Sequence, residues 1–434
     1  ATIVLSYVAP VSVYAVNVVS MVGFSVAVDY SLFVISRYRD ELREGPDGVE
    51  ALARTLSTAG RAVLFSGLTV AIGLLGMLCL RIRSLAWMGV AGTAVVLIAV
   101  GFALTFLPAL LAIRGRRVDA LRLPYLHPDQ SARSQRMWHR LAAFVMAHPW
   151  RVLIPVVIFL VLVGAPFSRL RLGGTDASIL PPYAEARRGE ELHRREFLTG
   201  DSNHIVVVVH DPQGRLRTAQ GVGRAYDFAQ WLAKLPSVSA VQGPVALHPD
   251  ITRAQYLQIF AAAPEQLPEF IREAVAQTAT DRLMVLSVST PLRPGSSEAH
   301  ALVRLIRHQH PSAGGEVLVT GQSAVDLDLA ETIARQAPLT VAVIVLATYV
   351  VLFLLLGSLL LPLKAVVMNV LSISASYGAL VWIFQEGHLA HLLGFTPGPI
   401  ETSTPIIMFC VMFGLSMDYE VLLLSRVGEE YERT

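Results

Sequence analysis

The sequence predicts an α-helical transmembrane bundle with a parallel pseudo-twofold repeat and an inserted α+β, ferredoxin-like domain on the outer side of the membrane. Three observations predict it. The chain of 434 residues is 53% hydrophobic and only 16% charged, with a mean hydropathy of +0.54, whereas a soluble protein carries about 25% charged residues. The segment VGFSVAVDYSLFVISRYRDE near the start recurs as VMFGLSMDYEVLLLSRVGEE near the end, aligning Asp29 with Asp418, Tyr30 with Tyr419, Phe24 with Phe413, Ser36 with Ser425, Arg37 with Arg426 and Glu41 with Glu430. Between the apolar runs lies one long stretch, 170–336, in which strand-like and helix-like periods alternate.

Runs of roughly 20 apolar residues suffice to cross a hydrocarbon core about 30 Å thick. They occur at approximately 14–36, 62–80, 86–113, 152–169, 338–358, 365–384 and 405–424. The opening ATIVLSYVA reads as the tail of a helix whose beginning is absent, so the chain is expected to be a fragment. Basic residues orient the spans. Arg37, Arg39, Arg43, Arg54 and Arg61 follow the first, and a further set from Arg114 to Arg151 precedes the fourth, which makes both loops cytoplasmic. Alternation then puts 170–336 outside and returns Lys364 and Arg426 to the inside, so the two Asp-Tyr helices run the same way and the repeat is parallel, with its axis along the membrane normal.

Five parts follow from this order. Residues 1–113 hold the later part of the first transmembrane repeat. Residues 114–151 are a cytoplasmic linker, in which SARSQRMWHRLAAFVMAH has the spacing of an amphipathic helix lying on the inner surface; a solvated connector reads almost equally well. Residues 152–169 are a span, 170–336 the outer domain, and 337–434 the earlier part of the second repeat. Within the outer domain, HIVVVVHD (204–211), SVSAVQG (237–243), RLMVLSVST (282–290) and EVLVTG (316–321) read as strands, with amphipathic helices at 220–235 and 297–309. This is a split βαβ pattern, interrupted by a helical insertion at about 249–279. Its acids and bases nearly balance, which argues against a nucleic-acid partner.

The chemistry is concentrated in the Asp-Tyr pairs. A carboxylate in hydrocarbon costs from about 2.5 kcal/mol upward, and two at equivalent depth point to proton or ion handling. Each Asp precedes its Arg by eight residues, which at 1.5 Å per residue puts both about 12 Å from the cytoplasmic anchor. Adjacent helix residues point about 100° apart, so each carboxylate needs a partner from another helix. The economical arrangement is a cross-pair, Asp29 with Tyr419 and Asp418 with Tyr30, with the small residues Ser25 and Gly414 one turn earlier allowing close approach. The competing account is a pair of interhelical hydrogen bonds that only hold the bundle together. Ser36 and Ser425 share the Asp face and either continue a water path or pack. Glu420 faces away from Asp418, and its partner is expected on spans outside this stretch. Cys79 and Cys410 fall inside apolar runs and offer neither a disulfide framework nor a metal cluster. No phosphate loop, zinc spacing or nucleophile elbow is present, so no bound cofactor is expected and the proton is the coupling ion.

VDYSLFVISRYRDE, STAGRAVLFSGLT, GGTDASILPP, TPGPIETSTPI and FGLSMDYEVLLLSR together resemble the mycobacterial membrane protein large (MMPL) family of the resistance-nodulation-division superfamily, over nearly the whole chain. The resemblance implies a secondary active transporter, not an enzyme. Family members are inner-membrane exporters of lipids, glycolipids or other amphiphiles, driven by the proton gradient. It also implies that Asp29, Tyr30, Asp418 and Tyr419 form the proton relay, that 170–336 is a porter-like domain, and that Ser66 on the second span borders the relay in a cavity for lipophilic inhibitors. Membrane lipids, the lipid cargo, and either a second copy or accessory envelope proteins are the implied partners. A full member has twelve spans and two outer domains, so the first outer domain and the last two spans are expected to be missing here. Drug or siderophore efflux, and a non-transporting assembly component of the same fold, are the alternatives. An intramembrane aspartyl protease also sets two Asp on neighbouring helices, but its usual surroundings are YD and GxGD, and here the order is DY twice.

Overall fold

The computed structural model describes residues 13–43, 47–115, 132–174, 176–196, 203–308, 310–311 and 313–433. In chain order its helices are α1 (Val13–Arg43), α2 (Gly48–Leu80) and α3 (Arg83–Arg114), α4 (Ala132–Ala147), α5 (Pro149–Arg169), α6 (Glu185–Glu196), α7 (Ala219–Ala233), α8 (Arg253–Ala261), α9 (Glu269–Thr278), α10 (Ser297–His308), α11 (Gln322–Leu356), α12 (Leu360–Gln385), α13 (Ala390–Leu393) and α14 (Thr404–Arg433). The strands are β1 (Leu172–Gly173), β2 (Asn203–His210), β3 (Ala240–Gln242), β4 (Leu283–Thr290), β5 (Glu316–Thr320) and β6 (Ile400–Glu401). The chain divides into a helical unit, Ala1–Arg169 with Ile333–Val381 and Ser403–Thr434, and an α+β unit, Leu170–Thr332 with Trp382–Thr402.

Six helices, α1, α2, α3, α5, α11 and α12, are long and apolar enough to cross a membrane; the apolar part of α14 among the described residues, Thr404–Met417, is shorter. This is a multi-pass membrane protein. The helices extend past the apolar runs because charged turns at their ends stay helical. In α1 the buried Arg37 and Glu41 pair at 2.9 Å one turn apart, the spacing that supports a helix. Its core stripe is Val22, Val26, Tyr30, Val34 and Tyr38, all buried. That four-residue period makes one continuous face, which packs on Val63, Val70 and Leu74 of α2 and on Val96, Ala99 and Val100 of α3. A wider π-turn at Phe102–Phe106 precedes Pro108 in α3. It absorbs the clash that a proline ring makes with the turn before it.

In the α+β unit a four-stranded antiparallel sheet has the order β3-β4-β2-β5. Register follows the alternation of apolar residues: Val207 stands between Leu286 on β4 and Val319 on β5. Ile205, Val207 and Val209 of β2 with Met284, Leu286 and Val288 of β4 are buried on one face, against Val222, Phe228 and Leu232 of α7 and Val303 and Ile306 of α10. The insertion read at about 249–279 is α8 and α9. Thr252 caps α8, its backbone N–H donating to Gln255 Oε1 at 2.7 Å, which satisfies one of the exposed amides at the helix start. At Asp211, after β2, the backbone N–H of Gln213 and then Arg215 hold the carboxyl below its ordinary range. A second, parallel pair was not foreseen from the sequence: β1 meets β6 with Leu172 opposite Ile400, joining segments too far apart in the chain for any local period to reveal.

Candidate functional site

Tyr30 lies on the buried stripe of α1, and Asp29, one position back, is turned about 100° off it, at the half-buried edge of the helix. From α14, the Tyr419 hydroxyl donates to Asp29 Oδ2 at 2.9 Å. The structure thus brings together Asp29 and Tyr419, from opposite copies of the repeat. The matching contact of Asp418 with Tyr30 lies outside the described residues, as does Ser425. The Tyr30 and Ser66 hydroxyls are 3.0 Å apart, both on fully buried residues. Ser66 reaches Tyr30 because α2 lies against α1 at Gly67, where an added Cβ would stand 3.5 Å from the Tyr30 hydroxyl. A hydroxyl both donates and accepts, so the Tyr30–Ser66 contact can turn over without breaking.

The close approach of the two Asp-Tyr helices expected at Ser25 and Gly414 is not made there. Ser25 is exposed, and Gly414 packs instead on α2, where a Cβ would come within 2.9 Å of the Val70 Cα. On the other side of the contact, a Cβ at Gly73 would be 2.7 Å from the Cys410 carbonyl oxygen. Two glycines facing each other's backbones let α2 and α14 touch, and α2 becomes the element between the two halves. Residues lacking a side chain permit this in helices that have no hydrophobic drive toward one another in lipid.

Ser36 is exposed, away from the Tyr30–Ser66 contact. The nearest influence on Glu420 from an opposite charge is Lys364 of α12, with no ion pair between the two among the described residues. Glu420 Oε2 is buried and has no hydrogen-bond partner among the described residues. Nearby, Ser416 donates to Asn369 Oδ1. Asn369 is 2% exposed and was passed over in the sequence, although an Asn inside an apolar helix is itself a signal. Chemically, the site offers the Asp29 carboxyl with a phenol hydroxyl donated to it and a buried phenol–serine contact, all set in apolar helices.

The sequence matches the MMPL family over residues 1–152 and 178–434. It is 34% identical over 431 residues to a protein of Streptomyces coelicolor, covering 99% of this chain and 54% of the relative. It is 31% identical over 449 residues to the trehalose monomycolate exporter MmpL3 of Mycobacterium tuberculosis, covering 98% and 45%. With the mycolic acid-containing lipids exporter MmpL11 of Mycolicibacterium smegmatis it shares 31% over 434 residues, covering 99% and 42%. The chain spans about half the length of these curated relatives. In fold it is similar to the hedgehog release protein Disp of the water bear Hypsibius dujardini, with a TM-score of 0.59 at 14% identity, over 93% of this chain and 53% of that one. By the extent of the family match, this chain belongs to the MMPL family.

Proposed function

We propose that the chain works in an exporter of lipids or other amphiphilic molecules across the inner membrane, driven by the proton gradient, with protons passing through Asp29, Tyr30, Asp418 and Tyr419. The observation that carries this reading is the Tyr419 hydroxyl on Asp29. It joins the two copies of the repeat at an ionisable group inside an apolar helix, a residue whose cost in lipid is accepted where protons move. Ser66 extends the path from Tyr30 into α2. The cargoes printed in two relatives' names, trehalose monomycolate and mycolic acid-containing lipids, are amphiphiles, which supports a lipid as the cargo class here. The β3-β4-β2-β5 order with two helices on one face supports a ferredoxin-like porter domain at 170–336, placed outside by the Arg-rich loops on the other side. Membrane lipids, cargo, and a second copy or accessory envelope proteins are its partners, and the coupling ion is the proton.

The test uses the full-length parent in proteoliposomes under an imposed pH gradient, with a fluorescent glycolipid as cargo. Asp29→Asn keeps size and hydrogen bonding but removes titration, and both cargo movement and proton flux are expected to stop. Unchanged transport in that variant, or transport that ignores collapse of the gradient, overturns the reading.

A further inference from the structure

The connection between α12 and α14 is longer than its task requires. Residues 81–82 suffice to join α2 to α3, whereas residues 386–403 join α12 to α14. Between residues 387 and 400 this connection has no Asp, Glu, Lys or Arg. Leu392 is 81% and Leu393 56% exposed, and the rings of Trp382 and Phe384 at its root are exposed as well. Large apolar side chains gathered on one exposed segment mark a contact with something other than water.

The segment is a built turn. The backbone N–H groups of Leu392 and Leu393 donate to the Leu389 carbonyl at 3.1 and 3.0 Å, and those of Gly394 and Phe395 donate to the Ala390 carbonyl at 2.8 and 3.4 Å. Four successive amides are thus satisfied inside it. The His388 ring stacks on Trp382 with centroids 4.5 Å apart, its Nδ1 is 2.9 Å from the Trp382 carbonyl oxygen, and Phe384 meets Phe395 at 5.2 Å. Held in this way, the two leucines have little ordering left to lose on contact.

The place of the turn in the chain identifies what it touches. β6, near its end, pairs with β1, Leu172 opposite Ile400, and the Arg171 backbone N–H donates to Gln385 Oε1 at 2.7 Å. β1 begins just beyond the end of α5 at Arg169, and the connection itself starts where α12 ends. Three membrane-crossing helices, α5, α12 and α14, therefore run straight into the segments that root the turn, which keeps it at the membrane surface.

We infer that the turn at residues 389–395 is a wedge inserted in the lipid leaflet on the side of the α+β unit, with Leu392 and Leu393 among the upper acyl chains and Trp382 at the headgroup level. Trp rings favour that level. Irregular backbone enters the edge of the hydrocarbon only where its polar groups are satisfied, and the four amides of the turn meet that condition. Because the turn carries no acidic or basic residue, it matches the glycerol and acyl region common to phospholipids and not an anionic headgroup, which basic clusters recognise.

The experiment uses the full-length parent, made cysteine-free, in nanodiscs of phosphatidylcholine and of phosphatidylcholine mixed with phosphatidylglycerol. A nitroxide is attached in turn at Leu392→Cys, at Leu393→Cys and, as the aqueous control, at Glu265→Cys. Power saturation reads its collisions with oxygen, which concentrates in the acyl region, and with a water-soluble nickel chelate. The labels at 392 and 393 are expected about 5–10 Å into the headgroup–acyl boundary, at the same depth in both lipids, and the label at 265 in water. Labels at 392 and 393 that meet nickel as often as the control overturn the inference. So do labels shielded from both reagents, because another part of the protein or a second copy then covers the turn. A depth that appears only with phosphatidylglycerol assigns the contact to a charged headgroup and overturns it too. All three side chains are exposed, and Leu393→Cys decides should Leu392→Cys fail to fold.

Discussion

The Tyr419 hydroxyl reaches Asp29 Oδ2 at 2.9 Å across 390 positions of sequence, and α2 packs against both of the helices that carry them. Gly73 and Gly414 bring α2 and α14 to backbone contact, while Val63, Val70 and Leu74 of α2 fill the stripe of α1.

Tyr419→Phe removes the hydroxyl that donates to Asp29 without changing the ring's packing. Proton-driven export by the full-length parent is expected to fall at least about tenfold, while Ser36→Ala, at an exposed position, leaves it unchanged. Equal loss in both variants contradicts the assigned contact. Transport assays in proteoliposomes decide it.

Gly73→Ala puts a methyl 2.7 Å from the Cys410 carbonyl oxygen, a backbone atom that cannot rotate away. Overpacking of this kind costs about 1–3 kcal/mol. A lower thermal midpoint in detergent is expected. Gly101→Ala, where a Cβ meets nothing within 4 Å, serves as the control and is expected to match or exceed the wild type, because Ala favours the helix by up to about 1 kcal/mol.

Topology is checked by thiol labelling in a chain with Cys79 and Cys410 replaced by Ala. A cysteine at the exposed Glu265 is expected to react with a membrane-impermeant reagent in intact protoplasts, and one at the exposed Asp47 only after lysis. The opposite pattern inverts the orientation read from the Arg-rich loops and the direction of transport with it.

Asp211 carries a pH prediction. Backbone and Arg215 donors hold its carboxyl below the ordinary range, so the folded state binds the proton less readily than the unfolded chain. Its stability contribution is present above about pH 4 and drains as pH falls through the folded value. Asp211→Asn is expected to lower the thermal midpoint at pH 7 and to flatten its decline between about pH 4 and 2. An acid limb as steep as that of the wild type counts against the assignment.

The sequence by itself determined the membrane class, the approximate spans, the Asp-Tyr repeat, and the strand and helix order of the α+β segment. These are properties of composition and of short periods, and they are written locally: the apolar run around Asp29 and the strand-like HIVVVVHD are marked before any neighbour is known. The tertiary structure alone decided what those elements touch. That Gly414 meets Val70 and not Ser25, that the Tyr30 hydroxyl contacts Ser66, and that β1 pairs with β6 all depend on close packing between distant segments. The same holds for Asp326, an ordinary acidic residue in sequence that becomes a buried, half-satisfied carboxylate only when Gly174 and Gly295 close over it. Hydropathy fixes which residues leave water, but steric fit fixes their partners, and fit is a property of the assembled chain.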